Sequence, residues 1–143
     1  MLSDLYIRDC PELRGINLGE DYRFLHTFEF SGTKNPYIRS LDFMSNVLEF
    51  MYLDLRALSI DDIGGFRGHG CTEDDYAKYL TLKLGDLSDA DFFNYCYNIF
   101  NIEIYGTAPS DDVILTKVCE DREHASRLDI TKKAAKVEFS IKR

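Results

Sequence analysis

The stretch Tyr22-Arg23-Phe24-Leu25-His26-Thr27-Phe28-Glu29-Phe30 places a ring at every second position. A helix cannot gather that period onto one face, whereas a half-buried strand does. Shorter alternations recur at residues 4–8, 79–84, 102–105 and 135–142, and the apolar run Val113–Cys119 also reads as a strand. Between the alternating segments 22–30 and 79–84 the period changes. Behind Asn35-Pro36, a cap followed by a first-turn proline, Tyr37, Leu41, Met44, Leu48, Met51, Leu55 and Leu58 recur at steps of four and three. That stripe predicts a long helix over 37–58, widened by Phe43, Val47 and Phe50. Val47–Leu55 also alternates, which keeps a strand open there as the alternative. Ser88 as N-cap, with Asp89 and Asp91 in the first turn, predicts a short helix carrying Phe92, Phe93, Cys96, Tyr97, Ile99 and Phe100 on its apolar face.

No linker or internal repeat divides the chain, so residues 1–143 are expected to form a single globular domain. The expected fold is α+β, a mainly antiparallel sheet with one long and one short helix packed on one face. At 143 residues with 19 aromatic side chains, such a domain buries a core without metal or disulfide staples.

Composition narrows the function classes. The net charge is −8 and unevenly spread, with 9 basic and 20 acidic residues up to 116, then 8 basic and 5 acidic. An acidic body repels phosphate backbones, which argues against nucleic acid as partner and for a basic protein. No apolar run is long enough to span a membrane. The acidic N-terminus lacks the apolar core of a secretion signal, so a cytoplasmic location is expected. Cys10, Cys71, Cys96 and Cys119 show no paired spacing and are expected as reduced thiols.

The motifs that carry chemistry are missing. Gly64-Gly65-Phe66-Arg67-Gly68-His69-Gly70 fits neither phosphate-loop pattern, and Glu73, Asp74 and Asp75 follow where an anion would sit. His69 and Cys71 are too few to hold zinc. A Cys71–His69 nucleophilic pair remains the only enzymatic possibility, and it lacks a recognisable frame. No cofactor, metal or catalytic residue is assigned. The acids instead form two groups, Asp61, Asp62, Glu73, Asp74 and Asp75, then Asp86, Asp89 and Asp91. Phe66 and Tyr76 are the candidate apolar anchors inside this charged docking surface.

Gly85-Asp86-Leu87-Ser88-Asp89 through Ile104 resembles a stretch of acyl carrier proteins. The order around Ser88 departs from that family's Asp-Ser-Leu, so no phosphopantetheine arm is assigned. In size, charge and absence of catalytic motifs, the whole chain is similar to bacterial immunity proteins of contact-dependent growth inhibition systems. That resemblance implies a non-catalytic inhibitor that binds a cognate protein toxin, typically a basic nuclease domain, and covers its active site with an acidic surface. A regulatory or adaptor domain is the alternative, and a small cysteine-dependent enzyme comes third.

Overall fold

The computed structural model describes residues 2–70, 80–96, 99–119 and 127–132. Seven strands form one sheet: β1 (Asp4–Arg8), β2 (Phe24–Ser31), β3 (Glu49–Ile60), β4 (His69–Gly70), β5 (Thr81–Leu87), β6 (Asn101–Ile104) and β7 (Asp129–Lys132). Every pairing is parallel, and the order β1-β2-β3-β5-β6-β7 follows the chain, with β4 beside the start of β3. The expected antiparallel sheet is therefore wrong, and the connections give the reason. They run to 15, 17, 20, 13 and 24 residues between successive strands of that order. Hairpins use two to five residues, whereas a parallel return needs roughly a dozen or more. Each strand with its return makes one turn of a short, irregular solenoid.

The two expected helices also change. Residues 37–58 hold only a 3-10 turn at Asp42–Met44 and then the 12-residue strand β3. The step-of-four stripe would bury Leu48, yet Leu48 is 45% exposed, while Phe50 and Leu53 are buried. Registry with β2 decides the matter: Phe50 pairs beside Leu25, and Leu53 beside Phe28. Tertiary packing thus overrides the helical leaning of Leu, Met and Ala. The short helix is a 3-10 segment, Ala90–Tyr95, capped by Asp89 rather than Ser88. The expected strand at Val113–Cys119 is the helix α1 (Asp111–Val118). Its Ser110 cap, the acids Asp111 and Asp112 at its start and Lys117 at its end suit a helix dipole. The strand expected at 135–142 lies outside the described residues.

The core forms where the connections return across one sheet face. One in-register row runs Leu5-Phe28-Leu53-Leu82-Ile102-Ile130, and beside it Ile7 pairs with Phe30, and Leu55 with Leu84 and through it Ile104. Met44, Phe66, Phe92, Phe93, Ile114 and Val118 from the connections close over them, all buried. Each such side chain contributes about 1.5–3 kcal/mol. Cys96 is in this layer, and burial pushes its thiol pKa well up. Cys10 and Cys96 are free thiols.

Neighbouring turns are stitched at the carboxyl ends of their strands. The Asp9 carboxylate, after β1, accepts from the backbone N–H and the hydroxyl of Thr33, at 3.0 and 3.1 Å. Asp86 of β5 does the same for Thr107 beyond β6, at 2.8 and 3.2 Å. Gly32, with φ at +84°, makes the first of these turns and leaves no room for a Cβ beside Asp9. At Gly85 a Cβ would lie 2.5 Å from the Leu58 carbonyl oxygen, where β3 slips register between Leu55 and Ser59. Only glycine lets β5 approach the irregular backbone that closely.

Hydrogen bonds from Thr107 hold the Asp86 carboxyl below its ordinary pKa of 3.8, with Lys34 and Ser59 adding to the effect. A carboxyl depressed in the folded state stabilises the fold above that value. The contribution is lost as pH falls through the lower folded value. Asp86→Asn is therefore expected to flatten part of the fall in urea midpoint between pH 5 and pH 2. An unchanged acid slope would show that the Thr107 contact carries no linkage.

Candidate protein-binding face

With the apolar rows turned inward, the intervening residues of the strands lie on the opposite face. Asp4, Thr27, Tyr52, Thr81, Asn101 and Asp129 form one row across the sheet. Tyr6, Glu29, Asp54, Lys83, Glu103 and Thr131 form the next. No connection closes over these rows among the described residues, and Tyr6 is 52% exposed. Each row holds one tyrosine, and cations lie close to the rings of this face. Arg8 lies 4.9 Å from the Tyr6 ring centre, Lys83 5.4 Å from Tyr52, and Arg56 5.3 Å from Tyr105.

The charges are fixed by one another. Arg8 holds Glu29 in a two-pronged pair, and Ser31 donates to the same carboxylate at 2.7 Å. Those bonds, that from Arg8 first, lower the Glu29 pKa. Asp54, fully buried at the centre of the face, accepts both from the backbone N–H of Arg56 at 3.0 Å and from its guanidinium. A guanidinium nitrogen of Arg56 comes within 2.6 Å of Asp54 Oδ2. This contact raises the Arg56 pKa further above its already high value. The Tyr105 hydroxyl donates to Glu103 at 2.6 Å. The result is a face on which Arg8, Arg56 and Tyr105 are each paired to a carboxylate of the same face. Two shallow hollows mark it. One of ≈ 360 Å³ is lined by Tyr6, His26, Thr27, Glu29, Met51 and Tyr52. The other, of ≈ 220 Å³, is lined by Ser31, Gly32, Lys34, Arg56 and Tyr105.

Of the acids singled out from the sequence, Asp61, Asp62, Asp86, Asp89 and Asp91 lie elsewhere, around the carboxyl ends of β3 and β5. Asp61 pairs with Arg39 at 2.8 Å. Asp62 accepts from the Gly64 N–H, and Asp42, which the sequence did not single out, from the Gly65 N–H. Two N–H groups of the glycine loop, those of Gly64 and Gly65, are thus already given to carboxylates. Asp86 holds Thr107, as described above. Asp89 accepts from the N–H groups of Ile63 and Asp91, and Asp91 lies near the Asn94 amide. Phe66 corrects its expectation as a surface anchor. It is fully buried, stacked on Phe92 at 5.3 Å, and offers a partner nothing. Glu73, Asp74, Asp75 and Tyr76, together with Cys71, lie outside the described residues.

The sheet-face residues escaped sequence reading because a strand shows which residues alternate but not which strands sit side by side. A signal did exist. Phe28-Glu29-Phe30-Ser31-Gly32-Thr33 and Ile102-Glu103-Ile104-Tyr105-Gly106-Thr107 are two versions of one pattern. Leu53-Asp54-Leu55 and Leu82-Lys83-Leu84 share its first half, so the middle position of each apolar pair marks the outward row.

Comparisons with protein-family models, curated proteins and solved structures return no match. Among the described residues no helix is long and apolar enough to cross a membrane, and no three potential metal ligands gather.

Proposed function

We propose that this chain is a stoichiometric protein-binding module, and that it takes a folded partner on the open face of its parallel sheet. The observation that carries this reading is the sheet face on which Tyr6 and Tyr52 lie in the two rows, with Arg8, Arg56 and Tyr105 beside them, paired to Glu29, Asp54 and Glu103. Tyrosine and arginine are the residue types that dominate binding energy at protein interfaces. Stacked parallel turns commonly use such a surface for recognition. Side chains already fixed by Glu29, Asp54 and Glu103 lose little freedom on binding.

The partner class follows from charge. An acidic body with Asp61, Asp62, Asp89 and Asp91 beside the carboxyl ends of the central strands attracts a basic surface and speeds its approach. We read the partner as a protein toxin, a basic nuclease domain whose active site is covered in the complex. On this reading the sheet face supplies affinity and the acidic rim supplies rate. An adaptor role would use the same face for a partner without toxic activity.

The test is capture with tagged protein from its native cell extract, together with co-expression of the product of the neighbouring gene. The expected result is an equimolar complex in which a nuclease activity is extinguished at one inhibitor per toxin. An equimolar complex with an inert protein would select the adaptor role. Recovery of a nuclease that stays fully active in the complex would contradict inhibition.

A further inference from the structure

Strand β1 is an edge of the sheet among the described residues. Among the described residues β1 pairs with β2 alone. Its inward side chains, Leu5 and Ile7, are only partly buried, and Leu2 and Tyr6 are each 52% exposed. Stacked repeats need a terminal cap, because an uncovered end leaves apolar surface and unpaired backbone to water.

The backbone shows which groups are on offer. Ser3 accepts from β2 through its carbonyl, and Asp9 donates to Ser31 of β2 at 3.0 Å. Strand groups alternate in direction, so the odd-numbered residues of β1 face β2. The N–H and C=O groups of Asp4, Tyr6 and Arg8 then lie along the edge, where the Arg8 carbonyl also accepts from the Cys10 thiol at 3.3 Å. Their side chains are also the exposed ones of the strand.

We propose that β1 pairs antiparallel with β1 of a second copy, about a two-fold axis at Tyr6. The sequence Asp4-Leu5-Tyr6-Ile7-Arg8 complements itself in that register. Asp4 faces the partner's Arg8, Arg8 faces the partner's Asp4, and Tyr6 faces the partner's Tyr6. The same three residues carry the outward backbone groups, so the register makes Tyr6 a mutually bonded pair and closes about six backbone hydrogen bonds. On the inner side Leu5 meets the partner's Ile7, which continues the apolar row from one core into the next. The interface is isologous and therefore closes at two copies instead of growing into a fibre. Asp4 and Arg8 have side chains 51% and 60% exposed, so both reach a partner while Arg8 keeps its pair with Glu29. The edge borders the open sheet face, whose rows Asp4 and Tyr6 begin, and the two-fold would set two such faces edge to edge.

The experiment is the solution mass of the full chain by light scattering, over a concentration series reaching about 0.1 mM. The wild type is expected as a dimer. Asp4→Arg and Arg8→Asp each turn two opposite-charge contacts into like-charge ones. Each should raise the dissociation constant about tenfold, and the double exchange should recover most of that loss. Tyr6→Pro removes outward N–H groups that β2 does not use, a place where an edge strand tolerates proline. It should give a monomer with unchanged circular dichroism. A wild type monomeric throughout the series, or a dimer indifferent to Tyr6→Pro, overturns the proposal.

Discussion

Phe66→Ala is expected to cost about 3–5 kcal/mol of stability, the range for emptying a fully buried aromatic site. The ring stacks on Phe92 at 5.3 Å, tilts against Phe50 at 6.4 Å and meets the edge of Tyr95 at 6.4 Å. Gly68 lies so close that a Cβ there would come within 2.9 Å of the ring. The site therefore collapses poorly when the ring is removed. Thermal unfolding should show a fall of roughly 10 °C or more, and protein that remains folded should bind its partner with little change. Tyr6→Ala, at an exposed position, should move the midpoint far less. An undiminished midpoint with binding lost in Phe66→Ala would restore this residue as a surface anchor and undo the core described here.

The second large effect is expected at Arg56. Asp54 has no exposed surface, and Arg56 supplies both the backbone and the guanidinium donors that compensate its charge. Removing one partner of a buried pair leaves the other's charge uncompensated, which costs about 3 kcal/mol even with Arg56 on the open side of the face. Asp54→Asn should cost less. The amide oxygen still accepts from Arg56, and the guanidinium, with a third of its side chain exposed, reaches water. In a denaturant cycle, Arg56→Ala should be much less harmful in the Asp54→Asn background than in the wild type. Equal costs in both backgrounds would mean that the two side chains are not coupled.

Much of the strand pattern is legible in the residues. Leu5-Tyr6-Ile7, Phe28-Glu29-Phe30, Leu82-Lys83-Leu84 and Ile102-Glu103-Ile104 each declare a strand with one wet face, and all four are strands. The direction of pairing was open to inference from the same residues, because no short turn separates any two of these segments. Two elements mislead for physical reasons. In β3 the leucines and methionines fall by coincidence at steps of four and three, and only the neighbours Leu25, Phe28 and Phe30 select the extended form. In α1 the apolar run hides a helix that Ser110-Asp111-Asp112 announces by its capping chemistry. The repeat is obscured by uneven turn lengths, from 20 residues between Thr81 and Asn101 to 29 between Tyr52 and Thr81. The candidate face is harder still to read. Nothing local to Asp54 distinguishes a carboxylate sealed beneath an arginine from one in water. The acids of the loops attract notice by number, while their hydrogen bonds show them engaged in holding turns.

The most direct measurement is the affinity of the captured partner for two sets of variants, read by titration calorimetry at physiological salt. Tyr52→Ala and Tyr105→Ala alter the open sheet face. Asp61→Asn and Asp91→Asn alter the rim. If the sheet face is the interface, each tyrosine change weakens binding about tenfold or more, and the rim changes mainly slow association. Loss of affinity from the rim variants, with the tyrosine variants binding as the wild type does, would contradict the assignment and return the interface to the acidic loops.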